Sequence, residues 1–217
     1  MKLFEYQAKD VFKENNILTP KGYLIDSLET LEDGLREVGV PCALKSQVLR
    51  GGRGKAGLIP LVKTEEDARK EVKRLLESEH NVRKILVEEM ISIESELYLS
   101  VTIDAEKATA LVIACVEGGV DIETLAKESP EKIVFEEVDI ITGIQPFQCK
   151  NIAYGLSSDK AIANQLSKMV YNLYQVFAKY DAELVEINPV FITTDGTVIA
   201  GDGKLSIDDN SMYRQKK

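Results

Sequence analysis

Leu184-Val185-Glu186-Ile187-Asn188-Pro189-Val190-Phe191-Ile192 alternates in character residue by residue, the period of a strand with one buried face. Glu186 and Asn188 therefore point to the same side. Downstream, Val198-Ile199-Ala200-Gly201-Asp202-Gly203-Lys204 repeats the alternation and gives Asp202 and Lys204 a shared side. Thr194-Asp195-Gly196 fits a three-residue hairpin loop with glycine at its left-handed position. That loop pairs Thr193 with Thr197, and counting back sets Asn188 opposite Asp202. A two-residue loop at Asp195-Gly196 would put them on opposite faces. The three-residue register gathers Glu186, Asn188, Asp202 and Lys204 on one surface. Two or three oxygen ligands on a stiff hairpin suit Mg²⁺, which prefers hard oxygens and keeps waters or phosphate oxygens as its other ligands. Carboxylates crowded together without a cation would repel one another.

Working outward, Asp159 to Tyr180 places Ile162, Leu166, Met169, Val170, Leu173 and Phe177 on one face of a long helix that leads into this β unit. Tyr171, Tyr174 and Tyr180 read as its core and rim. Extended runs are expected at Ile85–Met90, Glu96–Ile103, Thr109–Glu117 and Ile133–Val138, with a short helix near Ile122–Lys127. Toward the N-terminus, Leu3, Phe4, Ala8, Val11 and Phe12 recur at helical spacing. Ser27 can cap a helix that stops at Gly39, and Thr64 with Asp67 resembles a capping box opening a helix to about Ser78. Helices and strands alternate throughout, so the fold class is α+β (α/β).

The second informative stretch is Gly52-Arg53-Gly54-Lys55-Ala56-Gly57, a GxGxxG match. A dinucleotide fingerprint would need a helix directly after the loop, but Leu58-Ile59-Pro60-Leu61-Val62 favours an extended chain. No Gly-Lys-Ser/Thr closes a Walker A loop. The pattern left is strand, glycine loop, strand: a flap of the kind that covers nucleotide phosphates. Lys45, Arg50, Arg53 and Lys55 fall within eleven residues that contain no acid, a local cationic segment able to collect an anion. Lys45, inside a predicted strand, can neutralise phosphate as a point charge.

Composition sets the frame. The chain has 217 residues, 44% apolar and 29% charged, with net charge -9, which argues against nucleic-acid and membrane-surface binding. The longest clean apolar run, Ala110 to Val116, is far too short to span a membrane. No signal-peptide core follows Met1. Cys42, Cys115 and Cys149 are odd in number and lack metal spacing, pointing to a reducing, cytoplasmic setting (or a mitochondrial matrix after processing). Cys149, near Pro146, is expected to be exposed and inert, and His80 to lie in a polar helix-end segment.

Five motifs in order carry a family resemblance: Leu3-Phe4-Glu5-Tyr6-Gln7-Ala8-Lys9, Gly51 to Gly57, Glu117-Gly118-Gly119-Val120-Asp121-Ile122-Glu123, Glu186-Ile187-Asn188-Pro189 and Asp202-Gly203-Lys204-Leu205. Together they resemble the β subunit of succinyl-CoA synthetase over essentially the whole chain. The resemblance implies an ATP-grasp fold over residues 1–217, with 22–98 as the smaller nucleotide-flap lobe and 1–21 plus 99–217 as the larger, metal-binding lobe. It implies that Lys45, Gly52, Arg53 and Gly54 hold nucleotide phosphates, that Glu88 reads the base at the hinge, and that Glu96 also contacts nucleotide. Asn188 and Asp202 would ligate Mg²⁺, and Glu186 would meet the histidine that carries phosphate on a partner α subunit.

The implied reaction is succinate, CoA and ATP (or GTP) reversibly giving succinyl-CoA, ADP (or GDP) and phosphate, a step of the tricarboxylic acid cycle. A malate– or citrate–CoA ligase subunit, another ATP-grasp carboxylate ligase, and a non-catalytic nucleotide-binding or subunit-interaction module are the competing readings. The family's β subunit continues into a CoA-ligase-like domain, whereas this sequence ends at Met212 to Lys217. An excised domain is the expectation, with full ligase activity beyond this chain alone.

Overall fold

In the computed structural model, residues 1–215 are described; Lys216 and Lys217, at the end of the terminal segment noted above, lie outside them. The chain opens with α1 (Glu5–Glu14) and continues through β1 (Gly22–Ile25), α2 (Leu28–Val38), β2 (Cys42–Ser46), β3 (Leu61–Val62), α3 (Glu65–Leu76) and β4 (Ile85–Glu89). Then come β5 (Ile93–Asp104), β6 (Thr109–Cys115), α4 (Ile122–Glu128), β7 (Ile133–Val138), α5 (Pro146–Leu156) and α6 (Lys160–Lys179). The hairpin region closes it with β8 (Ala182–Thr193), β9 (Val198–Ala200) and β10 (Lys204–Ile207). Two compact units result, Pro20–Ile91 and the pair of segments Met1–Thr19 and Ser92–Lys217. The sequence reading ran the smaller lobe to residue 98. Residues 93–98 instead begin β5, whose long ladder with β8 ties them to the larger unit's sheet.

The smaller unit is a four-stranded antiparallel sheet, ordered β1-β4-β2-β3, under two helices. Leu31 and Leu35 of α2 and Ala68, Val72 and Leu75 of α3 meet Ile25, Leu44, Ile85 and Val87 in its core. Each fully buried aliphatic side chain contributes roughly 1.5–3 kcal/mol. Both helices start as the sequence indicates: the Ser27 and Thr64 hydroxyls accept the backbone N–H of Thr30 and Asp67. Gly39, at φ 84°, ends α2 in a conformation that side-chain-bearing residues avoid.

The larger unit is a six-stranded antiparallel sheet, β10-β8-β5-β6-β7 with β9 on β8. One face is covered by α1, α5 and α6, with Phe12, Ile152, Leu166 and Leu173 fully buried beside Leu99, Val101, Val185 and Ile187. Tyr174 and Tyr180 are buried and Tyr171 is about half exposed, as core and rim require. On another small cluster Tyr98, Cys115 and Ile133 pack with Ile122 and Leu125 of α4.

Helix α5 has no counterpart in the sequence reading. Pro146 opens it, and buried Gln148 accepts the Gln145 N–H while donating to Glu136 Oε1 and the Glu137 carbonyl of β7. Cys149, expected at the surface, is buried on the inner face with Ile152, Ala153 and Leu156, and burial pushes its thiol pKa up. An inert thiol follows, for the opposite reason to exposure without an activator.

Candidate functional site

The smaller unit presents a buried cation. On β2 Lys45 stands opposite Leu86, and Ala43 opposite Glu88, so Lys45 and Glu88 are diagonal neighbours on one face of the sheet. Their Nζ and Oε1 atoms are 2.5 Å apart, with side chains 11% and 3% exposed. The lysine expected at the phosphates and the glutamate expected at the base are thus joined to one another.

Arg53 is buried too, and its Nη1 donates to the Ser46 carbonyl at 3.1 Å, folding the glycine loop back onto the end of β2. Within the loop, Ala56 N–H donates to Gly52 O and Leu58 N–H to Arg53 O. Arg74 of α3 donates to the Gly57 carbonyl at 2.9 Å, and Arg50 meets His80 Nδ1 at 3.3 Å. The strand–loop–strand reading holds in a shortened form. β3 is two residues long, but Ser46 N–H to Leu58 O and Leu44 N–H to Pro60 O extend the pairing back toward the loop.

The larger unit carries the hairpin, in the three-residue register. Thr193 N–H donates to Thr197 O, and Val190 faces Ala200, Phe191 faces Ile199 and Ile192 faces Val198. Beyond the break at 201–203 the same register resumes, with Glu186 facing Lys204 and Val185 facing Leu205. Asn188 and Asp202 are accordingly matched positions, and Gly201 N–H donates to Pro189 O beside them.

Glu186 sits mid-sheet, with Ser100 across from it on β5. The Tyr98 hydroxyl donates to its Oε2 at 3.2 Å. Burial raises the Glu186 pKa, opposed by the Lys204 ammonium and the Tyr98 hydrogen bond and reinforced by the nearby charges of Asp202 and Glu123. Burial, and then the Glu186 charge, drive the Tyr98 phenol upward, so it remains a donor.

Asn188 is held rather than loose. Its Oδ1 accepts the Gly119 N–H at 2.7 Å and its Nδ2 donates to Val120 O at 3.0 Å. Gly118 N–H in turn donates to Glu96 O, and a Cβ on Gly119 (φ 70°) would lie 2.7 Å from the Glu96 carboxylate. Glu96 and Asn188 are therefore both at the Gly118–Val120 turn, a link the sequence did not signal.

The fit to a divalent ion rests on donor chemistry. Asn188, Asp202 and Glu186 offer side-chain oxygen, the donor type of Mg²⁺; Asn188 Oδ1 accepts the Gly119 N–H and Asp202 Oδ1 accepts the Gly203 N–H, which fixes the two oxygens in place. Among the described residues no group of three or more His, Cys, Asp or Glu side chains is placed to hold a metal by itself. An ion here would draw its remaining ligands from water or phosphate, as Mg²⁺ does.

Site residues missed by sequence reasoning are Tyr98, whose bond to Glu186 spans 88 positions, and the Gly119 and Val120 backbone. Only the β5–β8 register could have exposed the first, and sequence periodicity does not reveal which strands pair.

The chain is thus built of two antiparallel α+β units, one with a glycine loop beside a buried strand lysine and one with an oxygen-lined corner. The chain belongs to the ATP-grasp family: the ATP-grasp domain model matches residues 2–192. It is 53% identical over 215 residues to the ADP-forming sulfoacetate-CoA ligase subunit SauC of Bilophila wadsworthia, covering 99% of this chain and 58% of that protein. A succinate–CoA ligase [ADP-forming] subunit beta of Methanothermobacter thermautotrophicus is 42% identical over 220 residues, covering 100% of this chain and 60% of that one. The chain thus spans a little over half the length of the curated relatives it matches. Among solved structures, ATP citrate lyase from Methanothrix soehngenii in complex with citrate and coenzyme A aligns with TM-score 0.79 at 21% identity, covering 100% of this chain and 53% of that one. PH1788 from Pyrococcus horikoshii aligns with TM-score 0.75 at 18% identity, covering 95% and 92%. Both likenesses concern the fold. No helix among the described residues is long and apolar enough to cross a membrane.

Proposed function

We propose that this chain is the nucleotide- and Mg²⁺-binding part of an ADP-forming acid–CoA ligase subunit, acting with a partner α subunit that carries a phosphohistidine. The observation that carries the reading is the hairpin corner: on β8, Glu186 with a raised pKa and a clamped Asn188, and, in matching register in the break between β9 and β10, Asp202. In this reading Lys45, Gly52, Arg53 and Gly54 hold the phosphates, Glu88 and Glu96 contact the nucleotide, and Asn188 and Asp202 ligate the ion. Mg²⁺, when bound, supplies neutralising charge for the phosphoryl oxygens. Glu88 keeps the Lys45 ammonium aimed, as a point charge on a flexible stem requires. Glu186, held by Tyr98, orients the incoming partner imidazole and accepts a hydrogen bond from it.

The acid favoured is a sulfonate-bearing one such as sulfoacetate, supported by relatives of that name at 53% and 49% identity. Succinate, the acid of the sequence resemblance, is the second reading, supported by relatives at 38% to 42%. The ADP-forming names favour ATP over GTP. Titration calorimetry of the chain with magnesium–ATP tests the site: Lys45→Ala and Asp202→Ala should each weaken binding at least about tenfold, since a lost charge-assisted contact is worth about 1.5–3 kcal/mol. If both variants bind like the parent, the assignment is wrong. Label from γ-phosphate-labelled ATP should appear on a separate α chain and not on this one, and label on this chain would favour an unaided carboxylate ligase.

A further inference from the structure

The stretch Leu3 to Lys9 stands out in the sequence and has no part in the function proposed above. It forms the start of α1, which holds a buried ion pair. Lys9 Nζ lies 2.9 Å from Glu5 Oε1, with side chains 3% and 2% exposed. An ammonium taken out of water is tolerated only when paired and hydrogen-bonded. The same Nζ donates to the carbonyl of Gly201, 2.8 Å away and 192 residues along the chain.

Gly201 immediately precedes Asp202, and the peptide groups on either side of its α-carbon are both held. Its N–H donates to Pro189 O, the carbonyl of the residue after Asn188, while its own C=O accepts from Lys9. The flanking glycines are spaces already filled by rings. A Cβ at Gly201 would lie 2.4 Å from the Phe191 ring, and one at Gly203 would lie 2.7 Å from the ring of Phe12, a residue of α1 itself. Asp202 is thus carried on a short segment packed against rings on both sides, and α1 supplies two of its contacts, an ammonium and a ring.

We propose that Lys9 is a positioning residue for the ion-binding corner. Its buried ammonium fixes the Gly201 carbonyl and through it the direction in which the Asp202 carboxylate is presented, with Glu5 as countercharge. This rests on the reading of Asp202 as a Mg²⁺ ligand. A lysine that served packing alone would be replaceable by an apolar side chain of similar volume at no functional loss. One that orients a ligand must instead be read out through the metal, because supporting groups act on the affinity of the ion they organise.

The experiment measures ATP affinity of the full chain by calorimetry with and without saturating Mg²⁺, and takes the ratio of the two dissociation constants. Lys9→Met should cut that ratio about tenfold while leaving the metal-free affinity unchanged, within the 10- to 100-fold range of outer-shell changes at metal sites. In an Asp202→Asn background, Lys9→Met should have no further effect on the ratio. An unchanged ratio in Lys9→Met, or equal losses with and without Mg²⁺, overturns the inference. If Lys9→Met does not fold, Glu5→Leu/Lys9→Met removes both charges together and is read in the same way; failure of that variant to fold also overturns it, marking the pair as scaffold. The underlying reading fails separately: an Asp202→Asn chain that keeps the full Mg²⁺ response removes the corner as an ion site, whatever Lys9 does.

Discussion

Glycines serve opposite purposes in the loop at 51–57 and around the polar corner of the larger unit. In the smaller unit a Cβ added at Gly51, Gly52, Gly54 or Gly57 would meet nothing within 4 Å, and Gly52 and Gly57 have φ of 72° and 67°. In the larger unit a Cβ at Gly118 would fall 2.4 Å from the Leu97 carbonyl oxygen, and one at Gly201 would run into Phe191. The first set leaves the backbone of the glycine loop unencumbered and lets it turn through left-handed conformations. The second set lets backbone and rings close in until the polar corner is immobilised. One residue type therefore builds a loop with room around it and a corner with none, and the difference is legible only from what surrounds each α-carbon.

Substitutions can break this contrast. Gly118→Ala should cost about 3 kcal/mol in urea unfolding, because its obstacle is backbone that cannot rotate away. Gly201→Ala should cost about 2 kcal/mol, since the Phe191 ring can shift at some expense to its packing. Gly52→Ala should cost about 1 kcal/mol from backbone strain alone, while Gly54→Ala should remain within about 0.5 kcal/mol of the parent. Equal losses at Gly118 and Gly54 would abolish the distinction.

The electrostatic counterpart is smaller. Glu186 has a raised pKa, so the folded chain holds its proton more tightly than the unfolded chain. Its contribution to stability therefore falls as pH rises from the ordinary carboxylate range through the raised value. Glu186→Gln should be the more stable protein by about 0.5 kcal/mol at neutral pH, with the advantage disappearing as pH drops below the usual carboxylate range. Thermal melts of both chains from pH 4 to 8 check the sign, and an advantage that grows in acid would refute the burial argument.

Much of this corner was legible beforehand because its information is local. Asp195-Gly196 dictates the loop, the loop dictates the register, and the register dictates that Asn188 faces Asp202. The caps Ser27 and Thr64 and the stop at Gly39 are equally short-range. Helix α5 was not legible: its inner face is built from Gln148, Cys149 and Ala153 as well as Ile152 and Leu156, so its apolar stripe is faint, and a Gly155 lies within it. The start of β5 was given to the wrong unit for a related reason, since ladder partners some ninety positions away decide where residues 93–98 belong. Tyr98 on Glu186, the Gly119 clamp on Asn188 and Lys9 on Gly201 are likewise long-range contacts.

The division of the larger unit into Met1–Thr19 and Ser92–Lys217 has a consequence for vectorial synthesis. Residues 20–91 are contiguous and can assemble as soon as they leave the ribosome, whereas α1 waits for a partner 192 positions further along the chain. Until β8 to β10 emerge, Phe12 lacks the Gly203 surface it fills and Lys9 lacks its carbonyl, so α1 reaches its final place long after it is made.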